Sequence, residues 1–153
     1  MTEKLTKSEN LRIAHVDLDS IYDIFSQLDK LRFFLLQKTQ LKLQNTGFYL
    51  FVHLKDEVFT LGVPVVGIPV ESSLSDEYYI EDYGQTKTLQ LGLKRESFLA
   101  KSEVEMLETL RDMAIKYFSE GPKPEVVRVF VSDWQSVSGP HGENDVKVDF
   151  FLD

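Results

Sequence analysis

The sequence contains no cysteine. This excludes disulfides, thiolate metal sites and cysteine nucleophiles, and makes the reducing cytoplasm the expected location. Basic residues are scarce too: 17 Lys and Arg stand against 25 Asp and Glu, a net charge of −8, so a phosphate-tracking surface has no net electrostatic support. Direct nucleic-acid binding is not expected. The longest apolar run, residues 63–70 (Val-Pro-Val-Val-Gly-Ile-Pro-Val), is too short to span a bilayer and holds two prolines. Residues 1–10 lack the apolar stretch of a secretory signal and read as a flexible lead-in. No membrane association is therefore expected. The three histidines, His15, His53 and His141, fall in separate segments without metal-ligand spacing. No nucleophile elbow or phosphate-binding loop is present, so neither a metal nor a cofactor is expected.

What is present is a globular composition, 42% hydrophobic and 27% charged over 153 residues, enough for one domain with a real core. Residues 11–16 alternate apolar and polar side chains as a strand does, and Asp17, Asp19 and Ser20 offer helix caps. Helical spacing then predicts a long helix over residues 20–44, stopped by Asn-Thr-Gly at 45–47. Strands follow at 48–53 and, after a turn at 55–57, from Val58 through 63–71. Residues 72–86, with four acidic side chains and three tyrosines within 72–84, read as a connector. The same order then recurs. A strand at 87–93 leads to a capping box at 102–105 and a helix with its apolar stripe at Leu107, Leu110, Ala114, Tyr117 and Phe118. Strands at 126–131 and 145–153 complete it, the last alternating Val146, Val148, Phe150 and Leu152 against Lys147, Asp149, Phe151 and Asp153.

Leu11 and Lys87 open corresponding strands 76 positions apart, and the helix-ending Gly47 and Gly121 are 74 apart. The order predicts an α+β fold with two β-α-β-β half repeats, 11–71 and 87–153. They share one antiparallel sheet with both main helices on one face, and a groove lies at the pseudo-twofold axis.

This arrangement resembles the GyrI-like superfamily, which includes the effector-binding domains of bacterial multidrug-responsive regulators, the gyrase inhibitory protein and the SOUL proteins. The resemblance covers residues 11–153 and is carried chiefly by the second helix, Gly-Pro-Lys-Pro at 121–124, the strand reaching Phe130, Ser132-Asp133 and the closing apolar strand. It implies a domain that binds a small amphipathic ligand in the groove. It also implies a Glu two residues before an aromatic on the strand after the second helix; those positions here are Arg128 and Phe130. An Arg there disfavours a cationic guest and suits an anionic or neutral one, unless a carboxylate such as Glu71 pairs with it. About ten residues precede the first expected strand, too few for a helix-turn-helix region. The expectation is a stand-alone version, whose transcriptional role would run through a partner such as a regulator.

Six residues are the expected ligand contacts: Tyr49, Phe51, Glu71, Arg128, Phe130 and Trp134. Tyr49 and Phe51 share a strand face and would make a stacking wall, although ordinary core packing explains aromatics on a strand equally. Arg128 sits among valines and would need a partner if buried. Trp134, the single tryptophan, rims the groove or plugs a loop. Tyr78, Tyr79 and Tyr83 read as a solvated linker or a lid. Two alternatives stand beside ligand binding. One is a hydrolase of cyclopropane-bearing compounds, as in some GyrI-like proteins, with Glu71 as its catalytic carboxylate. The other is an acidic inhibitor of a topoisomerase.

Overall fold

The computed structural model describes residues 3–44, 47–69, 74–119, 124–132 and 146–152. Nine strands and three helices run in the order β1 (Glu3–Lys7), β2 (Leu11–Leu18), α1 (Ile24–Lys38), β3 (Lys42–Leu43), β4 (Phe48–His53), β5 (Val58–Val66), β6 (Tyr78–Tyr83), β7 (Lys87–Leu93), α2 (Arg95–Leu99), α3 (Glu103–Tyr117), β8 (Val126–Val131) and β9 (Val146–Phe151). A 3-10 turn, Ile21–Asp23, capped by the Ser20 side chain, leads into α1.

The main sheet is antiparallel throughout, with the spatial order β1-β7-β9-β8-β4-β5-β2-β6; the short β3 pairs with β5. The two half repeats are visible in that order. The series β2, β4, β5 and the series β7, β8, β9 take matching places on either side of the β4–β8 junction, where the pseudo-twofold axis passes. The fold is the α+β arrangement that the spacing predicts.

Strand parity divides the sheet into two faces. Leu50, Val52, Leu61, Val63, Val127, Val129, Val148 and Phe150 form one face, which packs in a single apolar core with Leu28, Leu31 and Leu35 of α1 and Met106, Leu110 and Ala114 of α3. Burying each large side chain contributes roughly 1.5–3 kcal/mol, so both helices are held to the sheet mainly by these stripes. The helix-free face carries the polar and aromatic residues described below.

Four sequence expectations need correction. The strand expected through residue 71 ends at Val66, followed by Gly67 at a φ of +118°. The first helix ends at Lys38 rather than near 44, because Thr39 takes an extended backbone. The Thr39 hydroxyl donates to the Leu35 carbonyl (2.6 Å) and accepts from the Leu41 N–H (3.1 Å), turning Leu41 into the core. Glu3–Lys7, expected as a flexible lead-in, is a strand paired with β7. Within the expected connector 72–86, Tyr78–Tyr83 is a strand paired with β2, because its alternating Tyr78 and Ile80 reach the core while Tyr79, Glu81 and Tyr83 fall on the opposite face.

The capping box at α3 is complete: Ser102 Oγ accepts from the Glu105 N–H (3.2 Å) and the Ser102 N–H donates to Glu105 Oε1 (3.1 Å). These hydrogen bonds hold the Glu105 carboxyl below its ordinary pKa. Ser102→Ala is expected to lower stability by about 1 kcal/mol, the usual cost of a lost cap, read as a shifted urea midpoint at unchanged slope.

Candidate functional site

Register places the helix-free residues in two neighbouring rows that cross the sheet. One runs Asp17, Thr60, Phe51, Arg128, Asp149, Gln90 through β2, β5, β4, β8, β9 and β7. The other runs Tyr79, His15, Gly62, Tyr49, Phe130, Lys147, Gly92 from β6 to β7. Directly opposed side chains interact across antiparallel strands, so this register is the cause of the contacts that follow.

In the first row Arg128 is only 2% exposed and Asp149 5%. Arg128 Nη2 lies 3.4 Å from Asp149 Oδ2, and Gln90 Nε2 donates to Asp149 Oδ1 at 2.8 Å. The guanidinium carbon sits 5.5 Å from the centre of the Tyr49 ring and 5.0 Å from that of Phe151, over the faces of both rings. Arg128 Nε and Thr88 Oγ1 have no hydrogen-bond partner among the described residues. A cavity of about 360 Å³ opens beside this cluster, lined by Tyr49, Phe130, Arg128, Asp149, Gln90 and Thr88, with Lys7, Glu9 and Lys147 also on its wall. Burial raises the Tyr49 hydroxyl pKa, against the opposing pull of Arg128.

Phe130 owes its place partly to Gly47. A Cβ there would lie 2.4 Å from a Phe130 ring carbon and 2.8 Å from the Val131 carbonyl oxygen, so only glycine lets the ring lie flat beside the start of β4.

The second row centres on His15, 2% exposed. Its ring stacks on Tyr79 (centroids 5.1 Å apart) and meets the Phe51 ring edge-on at 4.9 Å. Its Nε2 lies 2.8 Å from the Tyr83 hydroxyl, which in turn donates to Glu81 at 2.8 Å. A carboxylate only accepts, so the Tyr83 proton goes to Glu81 and the Tyr83 oxygen accepts from the Nε2–H of a neutral imidazole. Nδ1 then meets no partner of full hydrogen-bond geometry among the described residues. Burial lowers the His15 pKa to about 4; Glu81, the Leu61 backbone and Asp17 oppose it only in part. Burial likewise pushes Tyr79 up to about 12, helped by its 3.0 Å hydrogen bond to Asp17, and raises Tyr83.

The rings of Phe130, Tyr49, Phe51, Tyr83, His15 and Tyr79 thus make one continuous aromatic series across the β8–β4 junction. Of the sequence-derived contacts, Tyr49, Arg128 and Phe130 meet at the cavity, and Phe51 adjoins Tyr49 with its own ring stacked on Tyr83. Glu71 and Trp134 lie outside the described residues. Among the described residues the counter-ion of Arg128 is Asp149, because β8 and β9 pair in a register that sets residues 128 and 149 opposite each other. Sequence reasoning passed over Asp149, Gln90, Thr88 and His15. The alternation of β9 already put Asp149 on the face opposite the core, whereas the signal for His15 and Gln90 lay only in strand register.

The fold has solved counterparts. The crystal structure of the EcmrR C-terminal domain superposes with a TM-score of 0.57 at 8% identity, covering 98% of this chain and 96% of that one. The structure of SAV2435 bound to tetraphenylphosphonium gives 0.54 at 12% identity, covering 99% and 93%. A protein described as a putative bacterial transcription regulation protein from Staphylococcus aureus MU50 gives 0.51 at 12% identity, covering 99% and 97%. This chain therefore shares its fold with these three structures. EcmrR in its DNA complex also matches, with a TM-score of 0.65 at 7% identity and 97% of this chain covered, and this chain spans only 56% of the length of that one. No protein-family model and no curated protein matches the sequence. No described helix is long and apolar enough to cross a membrane.

Proposed function

We propose that the chain is a small-molecule-binding, effector-type domain that holds a flat amphipathic compound in the cavity beside the β8–β4 junction, by non-covalent contacts, for sensing or sequestration. The observation that carries this reading is the cavity of about 360 Å³ that brings the rings of Tyr49 and Phe130 together with the buried Arg128–Asp149 pair and its unspent donors. Aromatic walls supply area and stacking, while a few fixed polar groups orient the guest, as in ligand pockets generally. SAV2435 takes a lipophilic cation. In the present site Arg128, Lys7 and Lys147 face Asp149 and Glu9, three cationic against two anionic side chains. Asp149 already pairs with Arg128, so the favoured guest is set by the remaining excess of Lys7 and Lys147 over Glu9, which suits a neutral or anionic aromatic compound, with the unpartnered Arg128 Nε–H as its charge-assisted donor.

A matched pair of dyes tests the reading. Wild type is expected to bind anionic 8-anilinonaphthalene-1-sulfonate more tightly than cationic rhodamine 6G, measured by fluorescence anisotropy. Arg128→Gln removes the cation and leaves Asp149 free to meet a positive guest, so the preference should shift toward rhodamine 6G by roughly tenfold or more, the worth of a hydrogen bond to a charged group. Unchanged relative affinities, in a variant shown by its melting curve to be folded, would overturn the assignment of the site.

A further inference from the structure

Helix α1 carries two apolar stripes, and only one is buried; of the other, Phe25 touches the core, edge-on to Phe48. Ile24, Leu28, Leu31 and Leu35 are buried against the sheet. On another side of the same helix, Phe25, Phe33 and Leu36 are 52%, 65% and 74% exposed, and Tyr22, in the turn leading into the helix, is 79% exposed. Positions 25, 29, 33 and 36 succeed one another by four, four and three residues, the spacing that stacks side chains along one helical face. Exposed aromatic residues in a continuous line mark an interaction surface, whereas isolated ones need no explanation.

The stripe is also a palindrome. Its centre is exposed Asp29; Phe25 and Phe33 lie four residues from it on either side, and Tyr22 and Leu36 lie seven. A twofold axis at Asp29 that lays α1 antiparallel on a copy of itself would set Phe25 against Phe33 and Tyr22 against Leu36, twice each. A closed dimer has this requirement: one patch must be complementary to itself. The four side chains offer on the order of 500 Å² per copy. Exposed Ser26, Lys30 and Gln37 beside them bring the patch toward the roughly 800 Å² a side of a standard stable interface.

We infer that this face of α1 is a self-association surface, through which two copies pair helix to helix about an axis near Asp29. The contact leaves the helix-free face of the sheet open, so the inference stands apart from the ligand reading. Two features weaken the dimer and give it a signature. Asp29 meets Asp29 of the second copy, and the two acidic chains repel at long range. Association should therefore tighten when Asp29 is neutralised and when salt screens the repulsion.

Sedimentation velocity of the full chain across a hundredfold concentration range provides the test. A reversible monomer–dimer equilibrium is expected. Phe33→Glu should weaken it by roughly tenfold or more, as loss of a central aromatic anchor does. Asp29→Asn should tighten it several-fold, and raising the salt should act in the same direction. Both side chains are exposed, so neither change threatens the fold. A strictly monomeric wild type and Asp29→Asn variant, a dimer indifferent to Phe33→Glu, or a dimer that salt dissolves would each overturn the inference.

Discussion

Asp149→Ala is expected to lower stability by about 3–5 kcal/mol, the range found when one partner of a buried ion pair is removed. The cost arises less from the lost attraction than from what remains. Arg128, 2% exposed, would keep a charge with no counter-ion, and Gln90 would lose the acceptor it reaches at 2.8 Å. Water has little access, because Tyr49 and Phe151 lie against the guanidinium. The double variant Arg128→Met with Asp149→Leu should recover most of the loss, since a buried pair and a well-packed apolar pair of similar volume differ little. Urea unfolding at neutral pH decides the matter. A loss below about 1 kcal/mol for Asp149→Ala would place the pair with ordinary exposed salt bridges and contradict its burial.

His15 sets the second large effect, and it depends on pH. Its folded pKa lies near 4, against about 6.5 in an unfolded chain, so between these values the unfolded state holds the extra proton. Stability attributable to His15 is complete above about pH 6.5 and is lost as the pH falls through the window to 4. The full loss is about 3 kcal/mol, from the size of the shift. His15→Phe keeps a ring between Phe51 and Tyr79 but cannot titrate. At pH 7 it should be modestly less stable, having lost the hydrogen bond to Tyr83, yet its stability should fall by about 3 kcal/mol less than that of wild type between pH 7 and 4. Parallel pH profiles for the two proteins would show that the imidazole is not held neutral by burial.

The sequence was most informative where side chains repeat with a period. The alternation of 126–131 and 146–152 marks both the strands and the inward valines, and the capping box at Ser102 fixes the start of α3 to the residue. The duplicated order of elements was enough to expect the groove. Legibility stopped at pairing. Whether Arg128 faces Asp149 or another acid depends on how β9 slides along β8, and a slip of one residue would have turned Asp149 toward the core. His15 shows the same limit, since its partners Tyr79 and Tyr83 come from a segment whose acidity suggests a solvated connector. Its alternate residues Tyr78 and Ile80 nonetheless bury themselves at the edge of the sheet. Thr39 was passed over because apolar periodicity continues through Leu41 even though the backbone has left the helix.

The two outermost strands have a consequence for how the chain acquires its structure. β1 precedes the first half repeat but pairs with β7 of the second; β6 precedes the second half but pairs with β2 of the first. Each half therefore lends its leading strand to the other, in contacts such as Glu3 with Leu91 and Leu11 with Tyr83, which close long loops of chain. While the protein is being synthesised, β1 has nothing to pair with until β7 has left the ribosome, and β2 keeps an open edge until β6 arrives. Topology of this kind, with β1 waiting for a strand about 80 residues later, favours slow and late closure of that edge.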